Sequence, residues 1–126
     1  MDKNLVNIVN DSDNLLSDIN KYSSEYLSDE AKFAYSKEGF TQLDKVLKNG
    51  FNLVKSIVEN KYFEDSVEVT CTCKQIILLK GTLDKTEEKA KNLFVQDAIK
   101  IWQQLVILFA CLANEILDIH ENETIE

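Results

Sequence analysis

Residues 105–113 (Leu-Val-Ile-Leu-Phe-Ala-Cys-Leu-Ala) form an uninterrupted apolar run in an otherwise polar chain. A helix at the surface of a protein needs apolar side chains on one face only, whereas a helix built from this run is apolar on every face. Such a helix must be covered by the rest of the fold, by a second copy of the chain or by a partner. We therefore expect a helix that is buried on nearly all sides, with a homodimer through it as an open alternative.

The composition favours long helices. The chain has 126 residues, 44% of them hydrophobic and 29% charged, which is enough to bury a core as a single domain spanning 1–126. It contains no proline and three glycines, so the residues that most often interrupt helices are scarce. These features predict an all-α protein.

Apolar residues at steps of three or four predict the first two helices. The first pattern contains Leu5, Ile8, Val9, Leu15, Leu16, Ile19, Tyr22 and Tyr26. Residues 10–14 within it are polar, so a bend or break of the helix at this point is the alternative to one continuous helix. A second helix is expected to begin at residues 28–30, where Ser, Asp and Glu suit a helix start. Its pattern contains Phe33, Phe40, Leu43, Leu47, Phe51, Val54, Ile57, Val58 and Tyr62. The pattern crosses Gly39 and Gly50, so a break near Gly50 is the alternative to one long helix.

Residues 67–79 are ambiguous, because Val67, Val69, Cys71 and Cys73 alternate with polar residues as in a strand. A lone strand would leave its backbone groups unpaired and no partner strand is visible, so we predict a third helix that ends near Gly81. After a turn over 82–86, a fourth helix is expected over 85–120. Its inner face is expected to contain Ala90, Phe94, Ala98, Ile101, Leu105, Leu108, Leu112, Ile116 and Ile119.

The expected fold is a single-domain antiparallel four-helix bundle. Its long second and fourth helices are expected to pack antiparallel to each other, with two shorter helices completing the core. The main aromatic residues of that core are expected to be Phe40, Phe51, Phe94, Trp102 and Phe109.

Both ends of the chain are acidic. Residues 1–30 carry seven acids and two lysines, and residues 101–126 carry five acids and no lysine. If the first and last helices lie side by side, their charges merge into one negative surface. Such a surface repels phosphate backbones, so direct nucleic-acid binding is not expected.

The cysteines and the apolar run indicate where the protein acts. Three cysteines with no signal segment ahead of them predict a reducing, cytoplasmic setting. The run over 105–113 is about half the ~20 residues that a membrane helix requires, so no membrane span is expected.

No residue pattern indicates catalysis, a metal or a cofactor. Cys71 and Cys73 offer two thiolates where a structural zinc site needs four ligands, and His120 is the only histidine. The acid pair at residues 87–88 lies about 40 Å from Glu115 along one predicted helix, too far to share a magnesium ion. We therefore predict a non-enzyme without cofactor. The alternative is a metal-dependent helical hydrolase whose carboxylates the sequence does not group.

The acidic end of the fourth helix is the best candidate for partner binding. Glu115, Asp118 and Glu121 lie near a helix C-terminus, where negative charge is unfavourable and a basic partner would compensate it. Trp102 and Phe109 are expected to be the aromatic anchors. These residues predict a small acidic inhibitor that occludes a protein partner with a basic surface, in the manner of an immunity protein, an antitoxin-like protein or a phage-encoded inhibitor of a host defence enzyme. A helical subunit of a larger complex is a further alternative.

Overall fold

A computed structural model of the chain describes residues 3–22, 37–89 and 96–125. Within these ranges the chain is all-α, with helices α1 Lys3–Tyr22, α2 Lys37–Asn60, α3 Val67–Lys89 and α4 Gln96–Ile125. They contain 20, 24, 23 and 30 residues respectively. The expected start of the second helix at residues 28–30 lies outside the described residues, as do Tyr26, Phe33, Ala90 and Phe94.

Helix α1 runs without a break through the polar residues 10–14. Ser12 is fully buried in this stretch, and its hydroxyl donates to the Ile8 carbonyl at 2.7 Å. The serine therefore occupies a core position without leaving its polar group unsatisfied. The buried face of α1 consists of Ile8, Ser12, Leu15, Ile19 and Tyr22, which continues the predicted spacing.

Helix α2 is also continuous, and it passes through Gly50. A Cβ at position 50 would lie 2.6 Å from three ring atoms of Phe109 in α4. The ring of Phe51 meets the same Phe109 ring edge-on, with their centroids 5.3 Å apart. The absence of a side chain at Gly50 therefore lets α2 approach the aromatic core of α4.

Helix α2 ends in a Schellman motif. The Tyr62 N–H donates to the Ile57 carbonyl at 3.1 Å, and the Lys61 N–H donates to the Val58 carbonyl at 3.3 Å. Lys61 has a φ of 57°, the left-handed conformation for which glycine is preferred at this position. Because a lysine stands there instead, the sequence does not reveal where the helix stops.

The ambiguous residues 67–79 are helical. Ser66 caps the N-terminus of α3, because its hydroxyl oxygen accepts the Val69 N–H at 3.3 Å. Val69, Thr72, Cys73 and Ile76 are buried at steps of three and four, which is the spacing of a helix.

The expected end of the third helix near Gly81 is wrong, as are the turn over 82–86 and the start of the fourth helix at Lys85. Helix α3 continues to Lys89. Gly81 does not adopt a positive φ, and Lys80 Nζ reaches across it to Asp84 Oδ2 at 3.2 Å. Leu83 beyond it is buried in the core, so packing favours continuing the helix past the glycine.

Helix α4 is partly exposed, which differs from the expected burial on nearly all sides. Its buried residues are Ile101, Leu105, Val106, Phe109, Leu112, Ala113 and Ile116, whereas Leu108 and Ile119 are partly buried. Ile107 is 62% exposed, and Cys111 is exposed as well. The described helix also extends beyond His120, to Ile125.

Helix α4 is central to the packing. It makes extensive contacts with α1 and α3, and α1 packs against α2, whereas α2 makes much smaller contacts with α3 and α4. The buried residues of all four helices form one hydrophobic cluster.

Part of α4 is also long and apolar enough to cross a membrane. The segment Lys100–Asn122 has 23 residues, and its most apolar 18-residue window has a mean hydropathy of 1.3 and is 39% buried in the fold. A core helix of a soluble protein has the same length and composition. The absence of a membrane span therefore stays a prediction.

Candidate functional site

A cleft of about 600 Å³ lies at the end of the fold where α2 turns into α3. Residues 61–66 and Glu68 form one side, and Leu5 of α1 and Ile119 of α4 complete it. Three helices and the α2–α3 connection therefore meet at this cleft. We call the cleft and the carboxylates around it the acidic end.

The charge around the cleft is mainly negative. Glu64, Asp65 and Glu68 line it and are exposed, with Lys61 as the basic residue of the lining. On α4, the exposed Asp118 and Glu121 flank the cleft residue Ile119 in sequence. The acidic end therefore comprises the lining carboxylates together with two α4 carboxylates that are close to Ile119 in sequence.

Glu115 connects α4 to the first turns of α3. The Thr72 hydroxyl lies 2.7 Å from Glu115 Oε1 and 2.9 Å from the Glu68 carbonyl oxygen. A hydroxyl has a single proton, so Thr72 donates to one of these acceptors at a time. The bond to Glu115 is charge-assisted and half-buried, and it holds this carboxylate against α3.

The Cys73 thiol is buried below this contact. Burial and, to a smaller extent, the negative charge of Glu115 together raise its pKa from 9.0 to about 11. The thiolate is the nucleophile and the metal ligand of cysteine chemistry. Cys73 is therefore a neutral, packed thiol near neutral pH.

The residues expected to bind a partner lie in three different places. Asp118 and Glu121 are close to the cleft residue Ile119 in sequence, whereas Glu115 is half-buried and bound to Thr72. Trp102 is partly buried and lies about 24 Å from Asp118 along α4, at 1.5 Å per residue. Phe109 has 0% exposure and packs on Gly50 and Phe51, so a partner cannot reach it in this fold. Phe109 is a core residue, as the sequence also suggested.

The α2–α3 connection is the part of the site that the sequence did not reveal. Lys61 and Phe63 adopt φ values of 57° and 62°, which are uncommon for residues other than glycine. Strained backbone of this kind often occurs at functional sites. The local sequence signal is the short run Glu-Asp-Ser at residues 64–66, which is typical of a helix end or of the cap of the next helix.

The two acid groups considered for magnesium lie on different helices, not on one predicted helix. Glu115 contacts Thr72 near the start of α3, whereas Glu87 is at the other end of α3, about 22 Å away at 1.5 Å per residue. Among the described residues, no group of three or more His, Cys, Asp or Glu is arranged to hold a metal ion.

Comparison with protein-family models, with curated proteins and with solved structures finds no significant match to this chain. A helical bundle alone supports many unrelated functions. The acidic end is therefore the feature of this chain whose chemistry points to a function.

Proposed function

We propose that this protein is a small cytoplasmic inhibitor that binds a basic surface of a protein partner through its acidic end and occludes it. The observation that carries the proposal is that the carboxylates Glu64, Asp65 and Glu68 line one cleft, to which α4 contributes Ile119. The exposed α4 carboxylates Asp118 and Glu121 neighbour Ile119 in sequence. Immunity proteins, antitoxin-like proteins and phage-encoded inhibitors of host defence enzymes are the classes that act in this way.

The proposed framework is one antiparallel bundle domain. Two pairs of contacts support opposite directions for neighbouring helices. Asp18 Oδ2 lies 3.7 Å from Lys45 Nζ. Asp11, which precedes Asp18 in α1, lines a cleft with Ser56, which follows Lys45 in α2, so in the proposed bundle the two helices run in opposite directions. Similarly, Thr72 contacts Glu115, whereas the later residue Leu79 lies beside the earlier Leu108.

The contact between α1 and α4 completes this arrangement. Leu5, near the start of α1, shares the cleft with Ile119 near the end of α4, and the two helices pack extensively. In the proposed bundle α2 and α4 run in the same direction. This differs from the antiparallel pairing of these two helices that we expected from the sequence.

Electrostatics favour a basic protein surface as the target. Complementary charge accelerates association and rejects partners of like charge. Glu64, Asp65, Glu68, Asp118 and Glu121 are exposed, whereas nucleic-acid binding requires lysine or arginine to neutralise phosphates. The proposed target is therefore a protein, and occluding the nucleic-acid channel of a nuclease is one way in which such an inhibitor would act.

The cleft itself offers different anchors from those that the sequence suggested. Tyr62 and Phe63 are partly buried against the core, and their ring centroids are 6.4 Å apart. Aromatic residues surrounded by polar ones are typical of the centres of protein interfaces. We propose these two residues, in place of Phe109, as the apolar centre of the binding surface.

A capture experiment with matched variants tests the proposal. Tagged wild-type protein is exposed to lysate of its native host, and retained proteins are identified by mass spectrometry. A variant carrying Glu64→Gln, Asp65→Asn and Glu121→Gln removes three charges from the acidic end. The control variant carries Asp11→Asn, Asp13→Asn and Asp44→Asn, which removes three exposed acids elsewhere.

The proposal expects one basic protein that is retained by the wild type and by the control but lost by the acidic-end variant. Retention of the same protein by all three chains would contradict it. Thermal unfolding with added magnesium or manganese serves as a separate check for the hydrolase alternative, because a metal that binds only the folded chain raises its midpoint.

A further inference from the structure

Helix α4 presents a regular stripe of exposed residues on the side that faces away from the core. The stripe consists of Lys100, Gln104, Ile107, Cys111, Asn114 and Asp118. Successive members are four or three residues apart, which is the heptad spacing by which two helices pack along each other. The stripe is therefore arranged like one half of a helix–helix interface.

The centre of the stripe is apolar and continues onto α3. Ile107 is 62% exposed and Leu78 is 72% exposed. Both line a groove of about 430 Å³ together with Leu79, Leu108, Gln75 and Gln104. Exposed aliphatic side chains around an apolar groove are a common property of association surfaces.

The ends of the stripe carry opposite charges. Lys100 lies at one end and Asp118 at the other, and neither forms an ion pair with another residue that the structure describes. Along the helix axis, the level of residue 109 lies midway between them. If a two-fold axis crosses α4 at this level, each stripe residue of one copy faces the stripe residue of the second copy that lies equally far from residue 109 in the other direction.

We propose that two copies of this chain associate through antiparallel α4 helices centred on residue 109. In this register Ile107 faces Cys111 of the second copy, Gln104 faces Asn114 and Lys100 faces Asp118. Each contact occurs twice, as in any symmetric dimer with a two-fold axis. A parallel pair would instead place Lys100 against Lys100 and Asp118 against Asp118, so the charges favour the antiparallel arrangement.

The expected dimer is weak, because a single helix stripe with an apolar centre buries less area than a standard stable interface. It is tested separately from the proposed inhibitor function through Lys100 and Ile107, which lie away from the acidic end. Loss of the dimer through Lys100→Glu would therefore leave the capture result unchanged, and failure of the capture experiment would leave the dimer result unchanged. Asp118 is near both surfaces, so it is not substituted in the capture variant.

Charge reversal with rescue is the main test. Sedimentation equilibrium is measured across micromolar to millimolar concentrations for the wild type, Lys100→Glu, Asp118→Lys and the double variant. Each single reversal creates two like-charge contacts and is expected to weaken dimerisation by about 10-fold or more. The double variant restores opposite charges and is expected to regain most of the wild-type affinity. Lys48→Glu, which changes an exposed lysine on α2, is the matched control and is expected to have no effect.

Cross-linking tests the register directly. A chain with Ile107→Cys, Cys71→Ser and Cys111→Ser is mixed with a tagged chain that carries only Cys71→Ser. Copper-phenanthroline then accepts two electrons from the two thiols, which lose their protons and form one disulfide between position 107 and Cys111 of the other copy. A chain with Val58→Cys in place of Ile107→Cys is the control, because Val58 is exposed on α2.

The proposal expects the mixed disulfide with the position-107 chain to form at least several-fold faster than with the position-58 control. A wild type that is monomeric at all concentrations would overturn it. A double reversal that fails to restore dimerisation, while circular dichroism shows a folded chain, would overturn the antiparallel register.

Discussion

The ring of Phe109 lies directly on the backbone of Gly50, so close that a Cβ at position 50 would be 2.6 Å from three of its carbon atoms. Phe109 is completely buried and its ring is also held by the edge of Phe51. The glycine is thus a packing element of the contact between α2 and α4. Its position explains why a helix-weakening residue stands in the middle of α2.

We expect Gly50→Ala to destabilise the protein, although alanine favours helices. The added methyl group should lower the free energy of unfolding by about 1–3 kcal/mol, because it overlaps the Phe109 ring and the ring is buried on all sides. Gly81→Ala is the matched control. It is also in a helix, nothing lies within 4 Å of its Cβ, and it should gain up to about 1 kcal/mol. Urea unfolding of both variants measures the difference, and equal effects would contradict the packing role of Gly50.

Lys61→Gly should stabilise the protein. The lysine is in the left-handed conformation at the end of α2, and this conformation costs about 1 kcal/mol or more for a residue with a Cβ. Part of the gain is offset by the greater entropy of glycine in the unfolded chain, so we expect an increase of about 0.5–1 kcal/mol. Lys48→Gly, the same substitution inside α2, should instead lose about 1 kcal/mol. Chemical denaturation of the pair should therefore give opposite signs.

Thr72→Val should weaken the contact between α3 and α4. The variant loses the 2.7 Å bond to Glu115, and we expect a decrease of about 1 kcal/mol beyond that of Thr82→Val. Thr82 is a suitable control because its hydroxyl bonds the Leu78 carbonyl of its own helix. In a double-mutant cycle with Glu115→Ala, which removes the acceptor, a coupling energy near zero would show that the bond does not contribute.

The buried Cys73 thiol predicts a loss of stability at alkaline pH. Its pKa is raised from 9.0 to about 11, so between these values the folded chain keeps a proton that the unfolded chain has released. The free energy of unfolding should then fall as the pH rises through this window. Cys73→Ala should flatten this fall, whereas Cys71→Ala at an exposed position should not. Unfolding curves measured from pH 8 upward, with the same slope for all three chains, would contradict the assignment.

The helical class could be predicted from the sequence because spacing and composition agree. In α1 four of the expected apolar positions, Ile8, Leu15, Ile19 and Tyr22, are buried, whereas Leu5, Val9 and Leu16 are partly buried. The helix that we predicted over 67–79 from the lack of a partner strand is also present. The end of α3 could not be predicted, because Gly81 resembles a stop signal. Only the burial of Leu83 beyond it shows that the helix continues.

The site was less predictable than the fold. The acids of α4 were visible in the sequence, but the cleft that joins Ile119 of α4 to Glu64 and Asp65 depends on where the α2–α3 connection lies. That connection contains no glycine, so its left-handed residues leave no local signal. Phe109 was proposed as an anchor because sequence alone does not distinguish an exposed aromatic residue from one that packs on a distant glycine.

The most direct test of the inhibitor proposal is the salt dependence of the affinity for the captured partner. The dissociation constant is measured at about 0.1 M and about 1 M sodium chloride, between which the Debye length falls from about 10 Å to about 3 Å. At low salt the wild type should bind at least about 10-fold more tightly than the Glu64→Gln, Asp65→Asn, Glu121→Gln variant. At high salt the dissociation constants of the two chains should become similar. Equal affinities at low salt, together with no effect of salt on the wild type, would contradict binding through the acidic end.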